Sequence, residues 1–182
     1  PWANVEGRIL PETYFYTKAM KDVDLIERAA KALDTELQQA WSQKDENLPL
    51  KNAQEALILA SIIEKETGYA PERATISGVF VNRLNRKMRL QTDPTIIYGI
   101  GSKYDGNIRK SDLRRPTPYN TYTIFGLPPT PIAFASKEAI AASVNPAVTS
   151  ALYFVAKGGG QHHFSESLQE HNAAVRKYIL NK

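Results

Sequence analysis

The sequence predicts an α+β fold, a single mainly helical domain over residues 1–182 with a small antiparallel β component. Three observations predict it. Apolar residues recur at helical spacing through most of the first half of the chain, and a pair of β-forming runs flanks a triple glycine near its end. No internal repeat, low-complexity tract or change of composition divides the 182 residues.

Gly7 to Thr17 gathers β-formers (Ile9, Leu10, Thr13, Tyr14, Phe15, Tyr16) around Pro11 and is expected to be extended, as a strand. From Asp22 to Trp41, Leu25, Ile26, Ala29, Leu33, Leu37 and Ala40 fall on one face of a helix. After Asn47-Leu48-Pro49 a second helix runs from Asn52, its N-cap, to Thr67, with Glu55 three residues in and Gly68 as the stop. Pro71 suits the first turn of a third helix carrying Ile76, Val79, Phe80 and Leu84. Between Gln91 and Pro131 six prolines and several turn signals predict long, proline-pinned loops, where binding sites are commonly built. Ser136 to Val144 reads as a short helix, and Leu152–Ala156, Gly158–Gly160 and His162–Phe164 as a hairpin. Ser167 and Glu170 then form a capping box for a closing helix whose buried stripe is Ala174, Val175, Tyr178 and Ile179.

A chain that is 42% hydrophobic and 23% charged can bury one sizeable core. No apolar run approaches the roughly 18 to 20 residues that span a bilayer. The chain opens at Pro1 without a signal pattern, so it is expected to be a soluble piece of a longer protein. Cysteine is absent, which excludes disulfides and thiolate metal sites. A net charge of +4 favours acidic partners. The basic groups are short, Arg83 to Arg89 and Arg109 to Arg115, and lack the aromatic interleaving of a nucleic-acid footprint, so an anionic polymer is the better match.

One acid stands out within Glu64-Lys65-Glu66. Advancing about 100° per residue, Ile58, Leu59, Ile62 and Ile63 define an apolar face, with Glu66 near its centre and Glu64 turned away. A carboxylate at the end of a buried stripe is disfavoured when ionised, so its pKa should rise toward neutrality, as a general acid requires. The pattern leaves a second reading open, in which Glu66 emerges past the helix end and pairs with Arg73 or another cation.

Ala60-Ser61-Ile62-Ile63-Glu64-Lys65-Glu66-Thr67, then Val79-Phe80-Val81-Asn82-Arg83-Leu84 and Met88-Arg89-Leu90-Gln91-Thr92-Asp93-Pro94-Thr95, resemble the endolytic murein transglycosylases, the MltG or YceG-like proteins. Tyr119-Asn120-Thr121-Tyr122, Gly126-Leu127-Pro128-Pro129, Tyr153-Phe154-Val155-Ala156 and Glu170-His171-Asn172 continue the resemblance in order. The resemblance implies cleavage of the MurNAc-β-1,4-GlcNAc bond of peptidoglycan strands without water, leaving 1,6-anhydro ends, with Glu66 as the catalytic acid and base. It implies no cofactor and no second carboxylate, because the attacking hydroxyl belongs to the substrate. It also implies an N-terminal membrane anchor and a LysM-like region upstream, a site at the periplasmic face of the inner membrane, and cell-wall synthesis enzymes as partners.

The loop residues complete the expected site. Gln91, Thr92 and Asp93 are placed to hydrogen-bond sugars, with a helix N-cap at Thr92 or Asp93 ahead of Pro94 as the alternative. Tyr119, Asn120 and Tyr122 offer flat faces with polar tips suited to carbohydrate, against the alternative of buried loop packing. Gln91, Tyr119 and Asn120 are expected to line one cleft with Glu66. His162, His163 and His171 lack metal-ligand spacing and are read as structural. Two rival functions remain: a lysozyme-like hydrolase using Asp93 as a second carboxylate, and an inert peptidoglycan-binding module.

Overall fold

The structure, a computed structural model, describes residues 5–180, so the ends of the expected domain, 1–4 and 181–182, lie outside the described residues. Its elements are α1 (Asp22–Ser42), α2 (Ala53–Glu66), a 3-10 turn (Ala70–Glu72), α3 (Arg73–Asn85), α4 (Asp93–Ile100), a second 3-10 turn (Gly101–Lys103), α5 (Lys110–Arg114), α6 (Lys137–Val144), β1 (Tyr153–Gly158), β2 (Gln161–Ser165) and α7 (Leu168–Val175), which runs on as a π-helical turn (Arg176–Leu180). Helices around one β-hairpin make this an α+β fold.

α2 is the central helix. Asn52 caps it by accepting from the Glu55 N–H at 2.9 Å, while the Glu55 carboxylate accepts from the Lys51 N–H at 2.8 Å. Every residue from Ala56 to Ile63 is buried, so the helix is enclosed on all sides rather than along one stripe. α1 covers it with Ala29, Leu33 and Leu37, and α6 adds Ala139, Ile140 and Val144. Glu64 faces α6: its carboxylate accepts from the Ser136 N–H (3.1 Å) and hydroxyl (2.5 Å), with Arg73 4.0 Å away. Ser61 receives the Ile132 N–H at 3.0 Å and ties the proline-rich loop to α2.

α3 carries Ile76, Val79 and Phe80 into the same core. A Cβ on Gly78 would lie 2.4 Å from the Ala147 carbonyl oxygen, so only glycine lets the chain after α6 pass this close. Asn82 then holds that chain through Nδ2 bonds to the carbonyls of Thr149 (2.7 Å) and Ala151 (3.0 Å), which delivers β1 to the end of α3. β1 and β2 pair antiparallel with Phe154 opposite Phe164 and Ala156 opposite His162, and Gly158, Gly159 and Gly160 turn the chain at positive φ. The Ser167–Glu170 capping box opens α7, as expected.

Three expectations are corrected. Gly7–Thr17 forms no strand: the sheet among the described residues holds only β1 and β2, and the segment is irregular, with its Leu10 N–H donating to the Ala29 carbonyl of α1 at 3.1 Å, Leu10 buried and Phe15 86% exposed. The proline-rich stretch contains α4 and α5, since Pro94 sits in the first turn of α4 and Pro116 follows α5, so neither interrupts a helix. In the closing helix Ala174 is buried and Ile179 is 43% exposed, because the π-helical turn rotates the stripe away from the core.

Candidate active site

A cleft of about 310 Å³ opens beside the C-terminal end of α2, with Glu66 in its wall. Glu66 is half-buried and ends the helix because Thr67 is extended at the C-cap. Its carboxyl is held by the Thr92 hydroxyl, which donates to Oε1 in a short hydrogen bond. Thr92 is the N-cap residue of α4 by position, yet its side chain makes no cap bond. It is itself fixed by a buried threonine cluster: its N–H donates to Thr121 Oγ1 (3.0 Å), and Thr95 Oγ1 donates to its carbonyl (2.7 Å).

Burial pushes the Glu66 pKa from its ordinary 4.5 up to about 7, the Thr92 hydrogen bond and the nearby Arg83 opposing this and the Asp93 charge adding to it. Near neutral pH such a group exchanges a proton readily in either direction, the property a single acid and base needs. Arg73, the partner of the alternative reading, is spent on Glu64.

Arg83 frames the cleft from α3. Its Nε donates to the Leu152 carbonyl (2.6 Å), and Nη1 donates to the carbonyls of Leu90 (2.8 Å) and Arg89 (3.2 Å). The guanidinium lies 5.0 Å from the Tyr153 ring centroid, and His171 stacks on the other partner of that pair at 5.3 Å. Arg83 therefore joins the loop before α4 to the start of β1. The loop it holds includes Gln91, a non-glycine residue at φ +51, a conformation that persists only when its surroundings impose it. The Gln91 N–H donates to the Thr121 carbonyl at 3.1 Å, and its exposed side chain lines the cleft. Across from it, the Tyr122 hydroxyl donates to Asp93 Oδ1 at 2.7 Å, and burial and this bond push the tyrosine pKa up.

Glu66, Gln91, Asp93 and Tyr122 thus share one cleft, and Thr92 stands behind it, buried against Glu66. Tyr119 and Asn120 do not join them. Asn120 is buried, its Nδ2 donating to the carbonyls of Asp112 (2.9 Å) and Arg115 (2.8 Å) and its Oδ1 accepting from the Tyr122 N–H (3.0 Å), so it shapes the loop. Tyr119 points into a separate cavity with Tyr98. Neighbours in sequence in a turning loop face different ways, and that orientation is invisible in composition.

The sequence did not single out Arg83, Tyr153 or His171 as site residues. Each lies within a family-like motif, which was the available signal, but their meeting depends on how α3, β1 and α7 pack. The three histidines have separate settings: His162 Nδ1 meets Glu72 at 2.9 Å, His163 packs on Tyr178, and His171 lines the cleft. Among the described residues no group of three or more His, Cys, Asp or Glu is placed to hold a metal.

This is an α+β domain with one carboxyl group of raised pKa at the end of a buried helix, in the wall of an open cleft. The chain belongs to the YceG-like family, whose sequence model matches residues 2–177. It is similar to the endolytic murein transglycosylase of Bacillus subtilis strain 168, with 37% identity over 179 residues covering 98% of this chain and 49% of the relative. It is likewise similar to the endolytic murein transglycosylase of Streptococcus pneumoniae serotype 2 strain D39, with 34% identity over 185 residues covering 98% of this chain and 33% of the relative. The chain therefore spans half or less of these relatives' length. Among solved structures it is similar to a yceG-like protein of Listeria monocytogenes, with a TM-score of 0.79 and 34% identity covering 93% of this chain and 55% of that one.

Proposed function

We propose that this domain is a lytic transglycosylase that cuts peptidoglycan glycan strands internally at the MurNAc-β-1,4-GlcNAc bond. The observation that carries this reading is the Glu66 carboxyl, held near pKa 7 in the wall of an open cleft. The names of the relatives agree with it. Glu66 gives its proton to the glycosidic oxygen as the bond from that oxygen to the muramyl anomeric carbon breaks. The muramyl 6-hydroxyl oxygen then bonds to that carbon and surrenders its proton to the Glu66 carboxylate. The products are a free 4-hydroxyl and a 1,6-anhydro end, no water is consumed, and Glu66 is protonated again.

Thr92 is a positioning residue in this scheme, holding Oε1 so that the other oxygen meets the substrate. Gln91, Asp93 and Tyr122 hold the sugar, and the stacked Tyr153 and His171 line the groove beside them. In the whole protein the domain works at the periplasmic or outer face of the membrane beside strand-building enzymes; among the described residues no helix is long and apolar enough to cross a membrane.

Asp93 supports a second reading, hydrolysis, because it shares the cleft with Glu66. Its engagement by the Tyr122 hydroxyl suits it better to holding substrate. The test of Glu66 is a pair of variants. Glu66→Gln should lower strand cleavage by about 10² to 10⁴ or more, the effect of losing a proton donor, while Glu64→Gln keeps most activity. Equal losses in both folded variants would remove Glu66 from the chemistry.

A further inference from the structure

A second cavity, of about 560 Å³, is larger than the Glu66 cleft and lies toward the other end of α2. Its size is within the roughly 300–1,000 Å³ of small-molecule sites. The buried side chains of Leu33, Leu37 and Leu57 line its apolar part. Tyr98 and Tyr119 line it with rings 4.8 Å apart and tilted by 56°. Both hydroxyls are secured, Tyr98 donating to Glu6 at 3.0 Å and Tyr119 bonded to Thr130 Oγ1 at 2.8 Å. The rings are therefore fixed before any ligand arrives, which lowers the ordering cost of binding.

The rim is also built. Gly7 sits at φ +68, and a Cβ there would come within 2.6 Å of Pro131 Cβ, so glycine allows the entering chain to press on the loop and set Glu6 and Arg8 at the opening. Asp34 and Gln54, both exposed, complete it from α1 and α2. Two carboxylates beside one guanidinium give an anion no net attraction. Fixed aromatic rings, planar polar groups and an apolar floor together suit a largely neutral, hydroxyl-rich ligand with acetamido groups.

We propose that this cavity is a second binding site for amino-sugar strands, separate from the Glu66 cleft. The identification of the ligand rests on the proposed peptidoglycan substrate. Leu57 and Glu66 stand about 14 Å apart along α2 at 1.5 Å per residue, so the cavity is remote from the Glu66 cleft. A grip remote from the reacting bond suits an enzyme that cuts inside a strand, since an interior segment offers no chain end to recognise.

The experiment is titration of the Glu66→Gln protein with chitotetraose, the N-acetylglucosamine tetramer, followed by amide NMR. Amides around Gly7, Asp34, Gln54 and Tyr119 should shift in a saturable way. In a Glu66→Gln protein also carrying Asp34→Ala and Gln54→Ala, the dissociation constant read at those amides should rise about tenfold or more, the loss of two polar contacts. Shifts confined to the cleft, no shifts, or cavity shifts that survive both alanine substitutions would each overturn the proposal. Because no cleavage is read, failure of the lytic reaction and failure of this site give different results.

Discussion

At the scale of single residues, the Glu66 proton ties activity to stability. Its folded pKa of about 7 stands above the ordinary 4.5, so between these values the folded protein binds the proton more tightly than the unfolded chain. The contribution of this group to stability is fully present below about 4.5, falls as pH rises, and is lost above about 7. A shift of this size corresponds to an effect on the order of 3 kcal/mol. Glu66→Gln carries no ionisable group there and escapes the loss. It should match the wild type at pH 5 and exceed it in stability at pH 8, as read from urea unfolding at both values. A stability difference that does not grow with pH would mean that the carboxyl is not desolvated. Cleavage by the wild type should fall as pH rises through about 7, where the acid form of the folded enzyme disappears.

At the scale of elements, short loops and helix ends do the positioning. Asn120 ties α5 and the turn after it to the start of the Tyr122 segment, so Asn120→Ala leaves several backbone groups unpaired. It should destabilise the fold by about 2 to 4 kcal/mol in denaturant unfolding, while the KM of the folded enzyme for glycan strands stays close to wild type. A sugar ligand would give the reverse, a raised KM with stability kept. α1, α2, α6 and α7 were legible in sequence because their caps and apolar spacings are local signals, Asn52 and Ser167 above all. α4 was legible only as an alternative, through the N-cap offered at Thr92 or Asp93, and α5 was not, since it is short and the surrounding prolines read as loop. The expected strand at Gly7–Thr17 failed because β-propensity describes a residue's fit to a sheet, and this segment packs on α1 through Leu10 instead of joining the hairpin.

At the scale of the whole molecule, the cleft exists only when α2, α3, α4, the hairpin and α7 have packed. Glu66 could be singled out from one helix, because a charge on an apolar face is a local contradiction, but the helix pattern left open whether that acid is ion-paired, and the family resemblance gave it the catalytic role. Arg83, Tyr153 and His171 could not, because they come from three elements that meet only in the fold. The same assembly places Asp93 near Glu66, so the arrangement must be tested by its product. The most direct measurement is mass spectrometry of uncrosslinked glycan strands digested over time, reading chain length and end group together. With the muramyl 6-hydroxyl as nucleophile, strands should shorten by internal cuts, gain no new reducing ends, and give products one water lighter than those of a hydrolase. Reducing muramyl ends from the earliest times would contradict this and make Asp93 the second catalytic carboxylate.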